Sequence, residues 1–85
     1  MRDWGNFMAK YVVFESNLYG TYAVIFPSHI EHGYARNFPG TMTSAGFVQI
    51  RPEGITAHGE SESLKLKWQE GDTWLLQRLL GQAPD

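Results

Sequence analysis

Residues 10–26, KYVVFESNLYGTYAVIF, are the stretch that decides the fold. Residues 10–16 and 21–26 are rich in β-branched and aromatic side chains, which are typical of β-strands. Between them, residues 17–20 include an asparagine and a glycine, which favour a tight turn. The stretch therefore predicts a β-hairpin.

The two strands of this hairpin differ in the arrangement of their apolar residues. Side chains alternate between the faces of a strand, so the first strand is expected to place on one face Tyr11, Val13 and Glu15, and on the other Val12 and Phe14. The second strand contains YAVIF at 22–26, which is apolar at every position. Because such a run is typical of a strand buried on both faces, it is predicted to be a central strand of the sheet.

A helix is predicted to follow the hairpin, beginning within residues 27–31, PSHIE. Ser28 and Glu31 have the spacing of a capping box, in which each side chain accepts a hydrogen bond from the backbone of the other residue. The helix should extend to about Asn37, because FPG at 38–40 stops it. Gly33 lowers its stability by up to about 1 kcal/mol relative to alanine.

Two further strands and a half-buried one are predicted downstream. Residues 44–51 and 55–59 flank PEG at 52–54, which is typical of a second hairpin. Residues 64–68, LKLKW, alternate between apolar and charged side chains. This pattern predicts a strand with Lys65 and Lys67 in water.

The last predicted element is a helix over residues 72–80. Asp72 is expected to cap its start, and Gly81 followed by Pro84 to end it. Its leucines fall on one arc of the helical wheel, namely Leu75, Leu76, Leu79 and Leu80.

The resulting order, β-β-α-β-β-β-α, predicts an α+β fold with a mostly antiparallel sheet of about five strands and two helices packed on it. Residues 1–85 are expected to form a single domain, with 1–7 as a peripheral leader and 82–85 as a short tail.

Composition narrows the classes of protein that this chain can be. Its 85 residues have a net charge of −2 and no cysteine. Small domains in oxidising compartments are commonly crosslinked by disulfides, so the absence of cysteine favours the cytoplasm and excludes thiolate chemistry. No apolar stretch approaches the length of a membrane span, and no cluster of lysine and arginine favours nucleic acid.

Three histidines form the candidate metal site. His29 and His32 are separated by three positions, so on a helix both side chains can reach one ion, and His58 on a strand can complete a set of three ligands. The alternative is that Glu31 caps the helix while the histidines lie in solvent or pack against the sheet. We favour this alternative because the sequence HIEH matches the HExxH spacing of metallopeptidases only loosely.

Aromatic side chains on a sheet can stack nucleic-acid bases. The candidates for such a platform are Tyr11, Tyr22, Phe47 and Trp68. Because the lysines and arginines that attract phosphate are missing around them, these rings are expected to pack in the core instead.

Residues 59–63, GESES, resemble a nucleophile elbow but precede a predicted strand, whereas an elbow leads into a helix. Glu60 and Glu62 could act as a pair of carboxylates, but no apolar surroundings are predicted for them, so a solvated edge is expected. The sequence also contains no glycine-rich phosphate-binding loop and no dinucleotide fingerprint. We therefore expect no catalytic residue and no cofactor.

Trp74 lies outside the leucine arc, one helical turn before Arg78. Together with Trp4 in the leader, these residues are the candidate interface. Alternatively, Trp74 folds over the edge of the sheet or packs under the leader.

Three segments carry a resemblance to small uncharacterised proteins of phages and mobile elements: FPSHIEH at 26–32, SAGFVQI at 44–50 and GESESLKL at 59–66. The resemblance spans about residues 9–80. It implies a compact accessory protein and brings no active site with it.

Taken together, these features predict a small non-enzymatic interaction domain that self-associates or binds one protein partner. A metal-binding protein or small metal-dependent enzyme is the first alternative, and a single-stranded nucleic-acid binder is the second. Neither a membrane nor a cofactor is expected to be involved.

Overall fold

The computed structural model describes residues 7–52 and 54–79, which form an α+β fold. The main sheet is antiparallel and has four strands in the order β2-β1-β3-β4, while a smaller sheet pairs β5 with β6. The elements in chain order are β1 (Phe7–Ser16), β2 (Gly20–Pro27), a 3₁₀-helix (His32–Asn37), β3 (Thr41–Arg51), β4 (Gly54–His58), β5 (Glu60–Ser61), β6 (Leu66–Lys67) and α1 (Asp72–Leu79).

The predicted hairpin is confirmed, but its central strand is the first one and not the second. β1 lies between β2 and β3 and is buried on both faces, whereas β2 forms an edge of the sheet. The prediction that residues 22–26 form a central strand is therefore wrong. Phe26 is buried, but the other apolar side chains of this run are only half-buried, because the strand has a neighbour on one side only among the described residues.

The core has two halves, one on each face of the main sheet. On the first, which we call the α1 face, the buried residues are Ala9, Tyr11, Val13, Val48, Ile55, Ala57 and Leu76. On the second, the 3₁₀ face, they are Val12, Phe14, Phe26, Ala35 and Ala45. The alternation predicted for β1 is thus confirmed, and it explains how one strand anchors both layers.

The first predicted helix is shorter and tighter than expected. The chain makes a turn at Ser28 and His29, and only His32–Asn37 is helical, as a 3₁₀-helix. Glu31 occupies the N-cap position in an extended conformation and forms no capping hydrogen bond through its side chain. The predicted capping box with Ser28 is therefore wrong.

The β3–β4 hairpin is confirmed, with Arg51 opposite Gly54. The predicted strand over 64–68 is wrong in extent, because residues 62–65 form a turn and only Leu66–Lys67 pair with Glu60–Ser61. Lys65 has a φ of 59°, which is a left-handed turn conformation. Both lysines are exposed, as predicted, while Leu64 and Leu66 pack on the 3₁₀ face.

The terminal helix is confirmed over Asp72–Leu79, with Leu76 fully buried. The Asp72 carboxylate accepts hydrogen bonds from the Tyr11 hydroxyl and from the Gln69 amide, which precedes the helix, so the prediction that it caps the helix is wrong. Leu79 is half exposed.

Several sequence predictions fall outside the described residues: those for Leu80, Gly81 and Pro84, for the tail at 82–85 and for the leader up to residue 6. Phe7, the last residue of the expected leader, begins β1 and is opposite Ile50. Among the described helices, none is long and apolar enough to cross a membrane.

Candidate functional site

The two edges of the main sheet differ in how their backbone groups are satisfied. At β4, the Thr73 hydroxyl accepts a hydrogen bond from the Ala57 amide at 2.9 Å, and the Gln77 side chain donates one to the Ile55 carbonyl at 3.1 Å. Thr73 and Gln77 both belong to α1. The helix therefore covers the edge of β4 with polar side chains that take the place of a neighbouring strand.

This match between helix and strand follows from their geometry. Residues four apart on a helix lie on one face and are separated by about 6 Å along its axis. Residues two apart on a strand point the same way and are separated by about 6.6 Å. Thr73 and Gln77 thus reach Ala57 and Ile55 with little distortion of either element.

The opposite edge is formed by β2, which we call the open edge because no described strand pairs with its outer side. Within 7–52 and 54–79, no strand pairs with the outer side of Gly20–Pro27. The strand, GTYAVIFP, contains no charged residue. Exposed strands in natural proteins are usually shortened, charged or covered, because free amide and carbonyl groups attract another strand. This uncharged outer edge is therefore the candidate functional site.

Half-buried apolar side chains line both faces of this edge. Ala23 and Ile25 pack against the core of the α1 face, and Tyr22 and Val24 against that of the 3₁₀ face. A strand added beside β2 would bury the remainder of these side chains, and burial of apolar surface favours association. The backbone groups and the apolar side chains of β2 would therefore both be satisfied by a strand added beside it.

An aromatic cleft of about 460 Å³ adjoins β2 on the 3₁₀ face. It is formed by Tyr19, Tyr22, Phe38 and Pro39. The Tyr22 hydroxyl donates a hydrogen bond to the Pro39 carbonyl, and its ring stacks on Phe14 with centroids 4.9 Å apart. Beside the cleft, at the tip of the hairpin, Leu18 is 80% exposed and Tyr19 is 64% exposed. The cleft is thus a preformed apolar recess at one end of the open edge.

A second concavity, a groove of about 770 Å³, crosses the same face. Its floor is the cross-strand row of Lys10, Phe47 and His58, in which the two rings stack with centroids 6.1 Å apart. Glutamates lie around it, at positions Glu31, Glu60 and Glu62. The groove is the place where most of the polar candidates of the sequence meet.

The three histidines of the candidate metal site are not brought together as ligands. His32 and His58 line the groove, with the Phe47 ring packed against both, while His29 is exposed in the turn before the 3₁₀-helix. In the described part of the chain, no group of three histidine, cysteine, aspartate or glutamate side chains is placed to hold a metal ion. The alternative interpretation, a histidine packed against the sheet, describes His32.

His32 is 5% exposed and its Nε2 atom lies 2.8 Å from the Gly46 carbonyl oxygen. Since that oxygen only accepts, the neutral ring carries its proton on Nε2. The edges of Phe26 and Phe47 contact the ring, with centroids 5.9 and 5.5 Å away. Burial lowers the pKa of His32; the hydrogen bond to Gly46 raises it and the charge of Lys10 lowers it by smaller amounts.

This lowered pKa predicts acid sensitivity. Below about pH 6.5 the unfolded chain binds a proton at His32 while the folded chain does not. Stability is therefore lost as the pH falls from this value towards the lower pKa of the folded state, by at most about 1.4 kcal/mol per pH unit. His32→Gln keeps a donor for the Gly46 carbonyl. Because glutamine does not titrate, the free energy of unfolding of this variant is expected to depend less on pH in this range. Urea denaturation of the two proteins between pH 7 and 5 tests this prediction. If the stability of both proteins falls equally with pH, His32 is not the cause of the acid sensitivity.

The proposed aromatic platform is divided between different parts of the fold. Tyr11 is fully buried on the α1 face, whereas Tyr22 and Phe47 lie on the 3₁₀ face. Trp68 follows β6 and is 41% exposed. These rings do not form one surface for stacking bases.

Residues 59–63 form no nucleophile elbow. Ser61 is buried in β5, and its hydroxyl accepts a hydrogen bond from the Leu64 amide at 3.2 Å, which closes the turn into β6. The structure therefore gives Ser61 a local, stabilising contact. Glu60 and Glu62 are both exposed at the rim of the groove.

The predicted interface residues of α1 are at the surface. Trp74 is 57% exposed, and the Arg78 guanidinium lies 4.9 Å from the centre of its ring. This distance is that of a cation–π contact at the surface. Trp4 lies outside the described residues.

Comparisons with protein-family models, curated proteins and solved structures found no match to this chain. The resemblance to phage and mobile-element proteins accordingly stays a prediction. The open edge of β2 was missed by the sequence reasoning. No signal within 20–27 indicated it, because an uncharged and largely apolar run is typical of a central strand.

Proposed function

We propose that this chain is a small non-enzymatic interaction domain that binds protein by accepting an extended strand along β2. In this mode of recognition, the main chain supplies hydrogen bonds and recesses for alternate side chains supply specificity. The observation that carries the proposal is the contrast between the two edges: Thr73 and Gln77 cover β4, whereas no described strand pairs with the outer side of β2.

The aromatic cleft supports the same proposal. It lies at the Gly20 end of β2 and includes a residue of the strand itself, Tyr22. A bound strand would place every second side chain on the 3₁₀ face, where the cleft opens. Aromatic residues in such recesses often supply much of the binding energy of an interface.

Trp74 and Arg78 form a separate candidate contact at the far side of the sheet, since α1 covers β4 and not β2. A partner on β2 would leave them accessible. Trp74→Ala is therefore a suitable control, because it removes an exposed ring without touching the open edge.

A peptide with the sequence of residues 20–27, flanked by lysines for solubility, tests the proposal. We expect it to bind the intact chain, diluted until it is monomeric, and to slow amide hydrogen exchange in β2 but not in β4. Ala23→Lys should weaken binding at least tenfold, because it places a charge at the edge. Thr56→Lys, the matched change on the covered edge, and Trp74→Ala should bind as the unmodified chain does. Binding without slowed exchange in β2 would contradict the proposal.

A further inference from the structure

We infer that the strand accepted by β2 is β2 of a second copy of this chain, in a closed antiparallel dimer. This inference rests on the proposed function and names its partner. The two copies would be related by a twofold axis perpendicular to the sheet, so that the same surface is used by both. The main sheet would then continue across the axis as eight strands, four from each copy.

Charge favours a second copy as the partner. When a strand pairs with itself around a twofold axis, the residue on the axis faces its own copy, so a charge at that position would face a like charge. β2 contains none from Gly20 to Pro27. A strand selected only to bind a different protein has no such constraint.

The distribution of side chains also restricts the register. Tyr22, Val24 and Phe26 belong to the 3₁₀ face, whereas Ala23 and Ile25 belong to the α1 face. Residues directly opposite each other in a sheet point to the same face. Even-numbered residues must therefore be opposite even-numbered ones, which places the axis at a residue and not between two.

Two registers give the longest overlap under this rule. With the axis at Ala23, residues 20–26 pair with each other. With the axis at Val24, residues 21–27 lie opposite each other, but Pro27 donates no hydrogen bond because it has no amide proton. In both registers the aromatic clefts of the two copies open on the same face of the sheet. The apolar side chains of β2 are then buried on both faces by their counterparts.

The covered edge explains why such pairing would stop at two copies. A sheet with two open edges can add further copies and grow into a fibre. Here the outer edges of the dimer are the two β4 strands, and in each of them Thr73 and Gln77 already bind the Ala57 amide and the Ile55 carbonyl. The assembly is therefore closed.

Single cysteines test this inference directly, because the chain has none of its own. Under mild oxidation, either Ala23→Cys or Val24→Cys is expected to form a disulfide-linked dimer, since the twofold axis brings that residue next to its own copy. Thr56→Cys, on the covered edge, is the matched control and should stay monomeric on a non-reducing gel. Size-exclusion chromatography with light scattering on the cysteine-free chain should show a dimer with Kd on the order of micromolar, as expected of a small interface.

Two variants separate the possible outcomes. Ala23→Lys should weaken the dimer at least tenfold while keeping its circular dichroism spectrum, and Thr73→Val/Gln77→Leu should convert the dimer into larger assemblies. A monomer at all concentrations whose β2 still binds the peptide would overturn the second copy as partner and leave strand addition standing. A dimer that is unchanged by Ala23→Lys and crosslinked by Thr56→Cys would overturn both.

Discussion

Replacing Tyr11 by phenylalanine is expected to lower the free energy of unfolding by about 3 kcal/mol. The Tyr11 hydroxyl donates a hydrogen bond of 2.5 Å to the Asp72 carboxylate, and Asp72 is 7% exposed. Without this donor, the one hydrogen bond that described residues still give the buried carboxylate is that of the Gln69 amide, at 2.9 Å. A buried charged group that loses a partner costs more than the hydrogen bond itself contributed.

The protonation of Tyr11 makes this contact persistent. Burial, and then the hydrogen bond to Asp72 and its charge, raise the pKa of Tyr11 far above its ordinary value. The phenol therefore keeps its proton, and remains a donor, at neutral and mildly alkaline pH. The contact joins the middle of the sheet to the start of α1, so its loss should also loosen the helix that covers β4.

Urea denaturation measures the effect, with Tyr34→Phe as the matched control. Tyr34 is exposed on the 3₁₀-helix, so its loss of a hydroxyl should change stability by no more than about 0.5 kcal/mol. A double-mutant cycle with Asp72→Asn isolates the contact between the two groups. A coupling energy near zero would show that Asp72 is stabilised by other groups.

Gly46→Ala is expected to destabilise the fold by about 3 kcal/mol. A Cβ atom at this position would lie 2.5 Å from the carbonyl oxygen of His58 and 3.2 Å from that of Gly59. Both are backbone atoms of the segment that leads from β4 into β5, so neither can move aside without shifting that segment. The Gly46 carbonyl also accepts the hydrogen bond of His32, which a shift of the backbone would disturb.

Gly33→Ala is the matched control, because it adds the same methyl group to the 3₁₀-helix. There the added atom meets only the end of the Arg36 side chain, at 2.9 Å, which can rotate away. We expect a change within about 0.5 kcal/mol. The stabilities of the two variants to heat and urea should therefore differ clearly. Equal stabilities would mean that the backbone at His58 and Gly59 can move away from residue 46.

Much of the fold follows from local patterns in the sequence. Both hairpins and the terminal helix were predicted because turn residues separate runs of clear periodicity. The position of β2 at the edge of the sheet was not predicted, because an apolar run has the same pattern in a central strand and in an edge strand that another strand will cover. The segment 64–68 alternates as a strand does, yet the left-handed turn at Lys65 ends the pairing.

The candidate site was less accessible to sequence reasoning than the fold. Thr73 and Gln77 have a spacing that places them on one side of a helix, but their partners in β4 are the backbone groups of residues 55 and 57. No side-chain pattern in β4 indicates which of its edges will be free. The asymmetry between the edges therefore exists only once the strand order is known.

The covering of β4 by α1 also has a consequence for the order of biosynthesis. α1 is the last described element, so a chain emerging from the ribosome completes the four strands of the main sheet before the helix that protects one of them. During that interval both the β2 edge and the β4 edge of the sheet can pair with other nascent chains, and such incomplete folds favour misassembly. A product that ends before Asp72 would keep this vulnerability permanently, and we expect it to aggregate where the longer chain does not.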